Sequence, residues 1–174
     1  MMETVLSALY FFLPAYVANT TACIFGHGRP LDLGRTFIDG RRLIGDGVTI
    51  RGTAAGVAWG MATGILMSLY LIPFGLATSQ WLLVSFFMSL GALLGDAAGS
   101  FTKRRLGLER GAPAPVLDQL NFVVGGLVLV SVVLPLGTPP LTLPHVATLL
   151  VLTPFGHLAV NYTGYQLKMK DVPW

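Results

Sequence analysis

Cysteine is all but missing from this chain: among 174 residues only Cys23 is present, so no internal disulfide framework and no cysteine-based zinc site can be built. Histidine is scarce too. Its three positions, 27, 145 and 157, are too dispersed to serve zinc or copper without thiols. Charged residues make up 11% of the chain, against roughly 25% in an average soluble domain, which excludes an ordinary globular or a disordered protein. The phosphate-binding pattern G-x-x-x-x-G-K-[ST] is absent, and no Ser-His-Asp or Cys-His arrangement stands out. The chain is short for a membrane bundle plus a separate globular domain, so one unit, residues 1–174, is expected to carry the function.

What is present is hydrocarbon. The chain is 53% hydrophobic with a mean hydropathy of +0.70. A bilayer core about 30 Å thick needs roughly 17 to 25 helical residues to cross it, and five segments qualify: 2–25, 53–77, 81–99, 119–136 and 144–165. Between them lie a polar loop at 26–52, a tight turn at 78–80, a basic loop at 101–118 and a Pro-rich turn at 137–143. The first segment lacks a basic start, carries Glu3 and is too long for a signal-peptide core, so it reads as the first span. The expectation is an all-α polytopic membrane protein with five transmembrane helices.

The cations orient it. All 11 Lys and Arg fall in the first loop (Arg29, Arg35, Arg41, Arg42, Arg51), the third (Lys103, Arg104, Arg105, Arg110) or the tail (Lys168, Lys170). The positive-inside rule then places the N-terminus outside and the two long loops and C-terminus in the cytoplasm. A basic face also suits anionic lipid headgroups.

Against this frame the polar residues inside the spans are lopsided. Asn19, Thr20 and Thr21, then Asp96 and Ser100, then Asp118 and Asn121, and finally Asn161 all lie toward the cytoplasmic ends. Scattered glue between helices would not choose one leaflet, whereas a polar cavity open to the cytoplasm would. Two ladders of small residues, Gly56, Gly60, Gly64 and Gly91, Gly95, Gly99, predict close helix contact. They pack spans two and three together, or one of them pairs two copies as a homodimer.

Asp96 opens a helical stripe of Asp96, Ser100, Lys103 and Arg104, a carboxylate, a hydroxyl and cations on one face. A carboxylate within hydrocarbon costs roughly 2.5 to 3.5 kcal/mol on insertion scales, and Asp118 supplies a second at similar depth. Two carboxylates plus substrate phosphates suit Mg2+. Asp118 also reads as the N-cap of span four, and Lys103 and Arg104 as residues snorkelling to the interface. The first loop ends in Gly45-Asp46-Gly47-Val48-Thr49-Ile50-Arg51-Gly52, running into the start of span two. It is either a phosphate cradle of backbone amides or an interfacial turn with Thr49 or Thr53 as N-cap.

These residues carry a resemblance. D-A-A-G-S-F-T-K-R from Asp96 to Arg104, followed by D-Q-L-N from Asp118, resembles the signature of the membrane CTP:phosphatidate cytidylyltransferases, the CDP-diacylglycerol synthases, with its S-x-x-K-R core and D-R-x-D end. With five spans, N-x-T at Asn19, P-x-D-x-G at Pro30 and the G-D-G-x-T-x-R-G run, the whole chain is most similar to their small archaeal branch, the CDP-archaeol synthases. It departs from the larger family in lacking H-G-G before Asp118. Gln119 and Asn121 replace the arginine and second acid of D-R-x-D, and Val48 stands where related runs carry lysine, a part left to Arg51, Arg35 or Lys103.

The resemblance implies a membrane enzyme with a cytoplasmic active site that joins CTP to an isoprenoid ether lipid phosphate, releasing pyrophosphate. It implies Asp96 and Asp118 as metal ligands for Mg2+, and Asp96, Lys103 and Asp118 as the catalytic set. Asn19, Thr49, Arg51, Ser100, Arg104, Gln119 and Asn121 would bind substrate. Nucleic acid is not an expected partner; membrane lipids are. The rival reading is an ion-coupled transporter or channel using the intramembrane acids. Against it, the five spans show no inverted repeat and their polar residues stop at mid-membrane.

Overall fold

A computed structural model describes residues 2–109 and 111–168. Arg110 and Lys170, two of the cations used above for orientation, lie outside the described residues. The described residues form helices and no named strand: α1 (Met2–Phe11), α2 (Leu13–Ile24), α3 (Ile50–Tyr70), α4 (Thr78–Arg105), α5 (Pro115–Val130) and α6 (Leu143–Gln166), with a short 3-10 turn at Pro73–Gly75.

The first expected span is two helices bent by 48°. Pro14 is the reason: it donates no hydrogen bond, and its ring collides with the carbonyl one turn back, so the helix breaks just before it. Three helices, α3, α4 and α6, are long and apolar enough to cross a bilayer by themselves, and the bent pair makes a fourth. At 16 residues, or about 24 Å, α5 is shorter than the expected 119–136 segment, because the chain turns after Val130.

The other helix ends differ from expectation for local reasons. Thr49, in extended conformation, accepts a hydrogen bond from Gly52 N at 3.0 Å and starts α3 ahead of Thr53; this is N-capping. Leu71 and Ile72 turn extended ahead of Pro73, ending α3 at Tyr70, as residues before proline do. The expected turn 78–80 is instead the first turn of α4, which continues unbroken to Arg105. Its 28 residues span about 42 Å, so much of the expected third loop is helix and the whole Asp96–Arg104 run is rigid.

Helices α2, α3, α4 and α5 pack as a bundle, while α6 rests on α1 and α5. Trp81, Phe11, Phe12, Phe122 and Met88 fill the core. The indole of Trp81 donates to Gly64 O at 2.9 Å, satisfying a buried donor. Glycines set the helix spacing. A Cβ on Gly60 or Gly64 would sit 2.1 or 2.3 Å from the hydroxyls of Ser89 or Ser85, so the first ladder faces α4 and, through Gly56 and Ala18 O, α2. The second ladder turns the other way. A Cβ on Gly91 would meet Gly125 O at 2.4 Å and one on Gly95 would meet Asn121 O at 2.1 Å, so it packs α4 on α5, not on α3. Both ladders are consumed inside the chain, which leaves neither for the homodimer contact considered above.

Candidate active site

The element order brings 26–49, 106–114 and the last turn of α6 to one end of the bundle, and the polar residues collect there. On α4, Asp96, Ser100 and Lys103 occupy one stripe. Facing it, α5 presents Asp118, Gln119 and Asn121 in its first two turns. Lys103 Nζ donates to both Asp118 oxygens, at 2.8 and 3.0 Å, with the two side chains 13% and 31% exposed. Asp96 is hydrogen-bonded to Asn121 and lies within electrostatic reach of Asp118. Asn121 can sit this close because Gly99 has no side chain: a Cβ there would lie 2.3 Å from Asn121 Nδ2.

Asp118 is not the N-cap of its helix, as the sequence allowed. Pro115 occupies the first helical turn and Ala114 precedes it. Asp118 Oδ2 reaches back to accept from Ala114 N at 3.0 Å, satisfying a donor that the helix start leaves open. Its other oxygen accepts from Lys103 Nζ.

Three basic residues in a row divide the work of the α4 end. Lys103 turns to α5, while Arg104 donates to Ile44 O at 3.2 Å and Leu108 O at 2.5 Å. Arg105 lies over the edge-to-face pair Phe37 and Phe101, 5.0 Å from each centroid, and bonds Asp39 and, at 2.5 Å, Arg42 O. Arg41 donates back to Arg105 O at 2.6 Å. The first loop is thus stapled to α4 and is an ordered cap.

Inside the cap sits a carboxylate to which the sequence reading gave no part. Asp32 has no exposed side-chain surface. It accepts from Gly34 N, Ile44 N and Gly45 N at 2.8 to 3.0 Å and from Arg42 Nη2 at 2.8 Å. Burial would push its carboxyl up, but the Arg42 guanidinium and the three amides outweigh burial and hold it well below the ordinary carboxylate range. The P-x-D-x-G spacing was the available signal, since Asp two residues before Gly often caps its own turn.

The remaining candidates are placed less centrally. Thr49 is buried and serves as the α3 N-cap. Arg51 is exposed in the first turn of α3, and Asn19 is half-buried on α2. Ser100 lies one turn beyond Asp96 and is half-buried. Gln119 lines a cleft with Pro113, Ala114, Pro115, Asp118, His157, Leu158 and Asn161. His157, which by sequence alone stood out only as too dispersed for a zinc or copper site, therefore borders Asp118. Its signal was the i, i+4 spacing with Asn161.

A helical bundle of apolar helices whose polar residues gather at one basic end, with paired acids and a lysine on adjacent helices, has the charge arrangement that suits a phosphate-bearing substrate at an intramembrane site. The comparisons agree. The family model described as CDP-archaeol synthase (CarS-like) matches residues 1–174. A CDP-archaeol synthase of Methanocaldococcus jannaschii is 46% identical over 97% of this chain and 96% of that protein. One of Methanopyrus kandleri is 50% identical over 95% and 91%. A solved structure of an intramembrane enzyme for archaeal membrane lipids biosynthesis is 44% identical, covers 90% of this chain and 94% of that one, and superposes with a TM-score of 0.73. The chain belongs to the CDP-archaeol synthase family, a family of nucleotidyltransferases.

Proposed function

We propose that this protein transfers the cytidylyl group of CTP to the phosphate of an unsaturated archaeal diether glycerol phosphate bearing two geranylgeranyl chains. A phosphate oxygen of the lipid attacks the α-phosphorus of CTP. A new P–O bond forms as the bond from that phosphorus to the bridging oxygen breaks, and pyrophosphate leaves with the electron pair. The observation that carries this reading is the union, at one end of a bundle of this family, of Asp96 and Asp118 with Lys103.

No side-chain nucleophile is needed; positioning and charge neutralisation are the main contributions of the chain. Lys103 stabilises charge that develops on the phosphates. Asn121 and Gln119 orient substrate, with Ser100, Asn19, Arg51 and, through the α3 start, Thr49. Arg104 contributes by holding the first loop over the site.

The donor set fits a hard divalent cation. It offers two carboxylates and the Asn121 amide, oxygen donors throughout. Among the described residues no group of three or more His, Cys, Asp or Glu gathers to hold a metal ion by itself, so substrate phosphates and water would complete the shell. Asp96 and Asp118 would hold Mg2+, which when bound supplies positive charge to the triphosphate.

In the membrane we place five passes, counting the bent α1–α2 pair and α5, as a single catalytic domain with the N-terminus outside and the site facing the cytoplasm. The concentration of cations at the site end supports this orientation.

The test is purified protein in detergent given CTP, Mg2+ and the lipid phosphate. Pyrophosphate release is expected only with all three present. Asp96→Asn and Asp118→Asn should abolish it while the protein stays folded; full activity in Asp96→Asn would overturn the assignment. A larger thermal shift with CTP than with other nucleoside triphosphates checks the base, since a ligand of the folded state raises stability by mass action. Ion flux in liposomes without nucleotide chemistry would favour a transporter instead.

A further inference from the structure

We propose that His157 and Asn161 of α6 bind the phosphate head of the acceptor lipid, an inference that rests on the transfer reading above. The argument starts from α6 itself. It is the most lipid-facing of the long helices, with 11% of its apolar window buried against 50% for α4, and from Pro154 to Leu167 Asn161 alone is buried. A buried amide on such a helix needs a reason.

The reason is a stripe. Leu149, Thr153, His157 and Asn161 recur at i, i+4, i+8 and i+12 and lie on one side of the helix. Its upper half is packing: Leu149 is 1% exposed in the core, and Thr153 bonds the Tyr16 hydroxyl at 2.6 Å. Its lower half changes character where it draws level with Asp118. His157 lies against the ring of Phe122, 5.9 Å between centroids, and Asn161 Nδ2 is 3.2 Å from His157 Nδ1. With that amide donating, the neutral ring carries its proton on Nε2.

The cleft these residues border is amphipathic. The α5 side brings Asp118 and Gln119 beside Pro115, and the α6 side brings His157 and Asn161 beside Leu158. Among the described residues its one carboxylate, Asp118, already has the Lys103 ammonium on both oxygens, which offsets the charge that would repel an anion. Imidazole and amide donors beside apolar carbon on a lipid-exposed helix suit a phosphate that remains attached to its hydrocarbon chains. A free nucleotide would instead approach from the basic loops.

The test uses His157→Phe, which keeps a ring against Phe122, and Asn161→Leu, with Asn161→Gln as the conservative control. In steady-state assays each loss variant should raise KM for the lipid phosphate about tenfold or more, as expected when a hydrogen bond to a charged group is lost. KM for CTP should stay within about twofold. Asn161→Gln should recover part of the loss. Direct binding to protein in nanodiscs, without CTP or Mg2+, gives a readout independent of turnover. There the lipid phosphate should compete with itself, while the dephosphorylated diether lipid and inorganic phosphate should not, and both loss variants should bind weakly.

An unchanged lipid KM and unchanged binding would overturn the assignment. So would a rise in KM for CTP alone, equal competition by inorganic phosphate, or equal loss for both substrates with a lowered melting temperature, the mark of helix glue. If wild-type protein binds the lipid phosphate but transfers nothing to it, the reaction proposed above fails, and His157 and Asn161 stand or fall on the binding result.

Discussion

The ammonium of Lys103 spans both carboxylate oxygens of Asp118, at 2.8 and 3.0 Å, joining helices α4 and α5 at the level where the acids gather. A monodentate contact would fix only one oxygen; this one sets the plane of the carboxylate and brings a positive charge to the first turns of α5. The same lysine is thus a strut between helices and, on the proposed function, the cation that meets phosphate. Lys103→Met is expected to lower kcat by about 10²- to 10³-fold, the usual cost of removing one preorganised charge donor. A circular dichroism spectrum and melting curve of the variant separate this from loss of the strut, which should lower stability only modestly because Asp118 remains 31% exposed.

Asp32 should make the first loop sensitive to acid. Its carboxyl in the folded cap lies below the ordinary value of 3.8, so an unfolded loop takes up a proton before the folded one does. The stabilisation is therefore complete above about pH 5 and drains away as pH falls through the carboxylate range. Limited proteolysis of the 26–49 segment, followed against pH, should show protection at neutral pH and cleavage on acidification. Asp32→Asn should be cleaved even at pH 7, since in either orientation the amide NH2 group would face Arg42 and at least one backbone donor, Gly34 N on one side or Ile44 N and Gly45 N on the other.

Glycine substitutions should sort by what surrounds them. Gly99→Ala pushes a methyl to within 2.3 Å of Asn121 Nδ2, a side chain that can yield, whereas Gly95→Ala meets the backbone oxygen of Asn121 at 2.1 Å. The first should fold and lose most activity because Asn121 leaves Asp96. The second should also lose the α4–α5 contact and melt lower, by the few kcal/mol typical of overpacking, about 1 to 3. Gly156→Ala, where nothing lies within 4 Å, serves as the silent control in both the melting and the activity assays.

Arg105→Lys should not behave as a conservative change. The planar guanidinium lies over Phe37 and Phe101 and bonds Asp39 and Arg42 O together; an ammonium cannot make those contacts at once. Hydrogen exchange in the first loop should speed up and KM for CTP should rise, with kcat less affected. Equal exchange rates in the variant and the parent would show that the staple contributes nothing to loop order.

Much of this protein is written along the chain because hydrocarbon imposes a one-dimensional rule. Backbone groups in a bilayer must be satisfied within a helix, so apolar length, loop charge and the intramembrane acid Asp96 read out directly as helices, a basic end and a candidate site. The family likeness was legible for a related reason, since residues 96–104 fall on a single rigid helix and keep their spacing. Tertiary structure alone decided which neighbour each side chain meets. Lys103, Arg104 and Arg105 are consecutive cations that a sequence cannot tell apart, yet a rotation of about 100° per residue aims one at α5 and the others at the loop. The two glycine ladders share one pattern and face different helices. Asp32 and His157 gain their surroundings from chain segments distant in sequence: a loop folded on itself, and α6 laid against α5. Local periodicity names the faces of a helix, but only long-range packing assigns each face its partner.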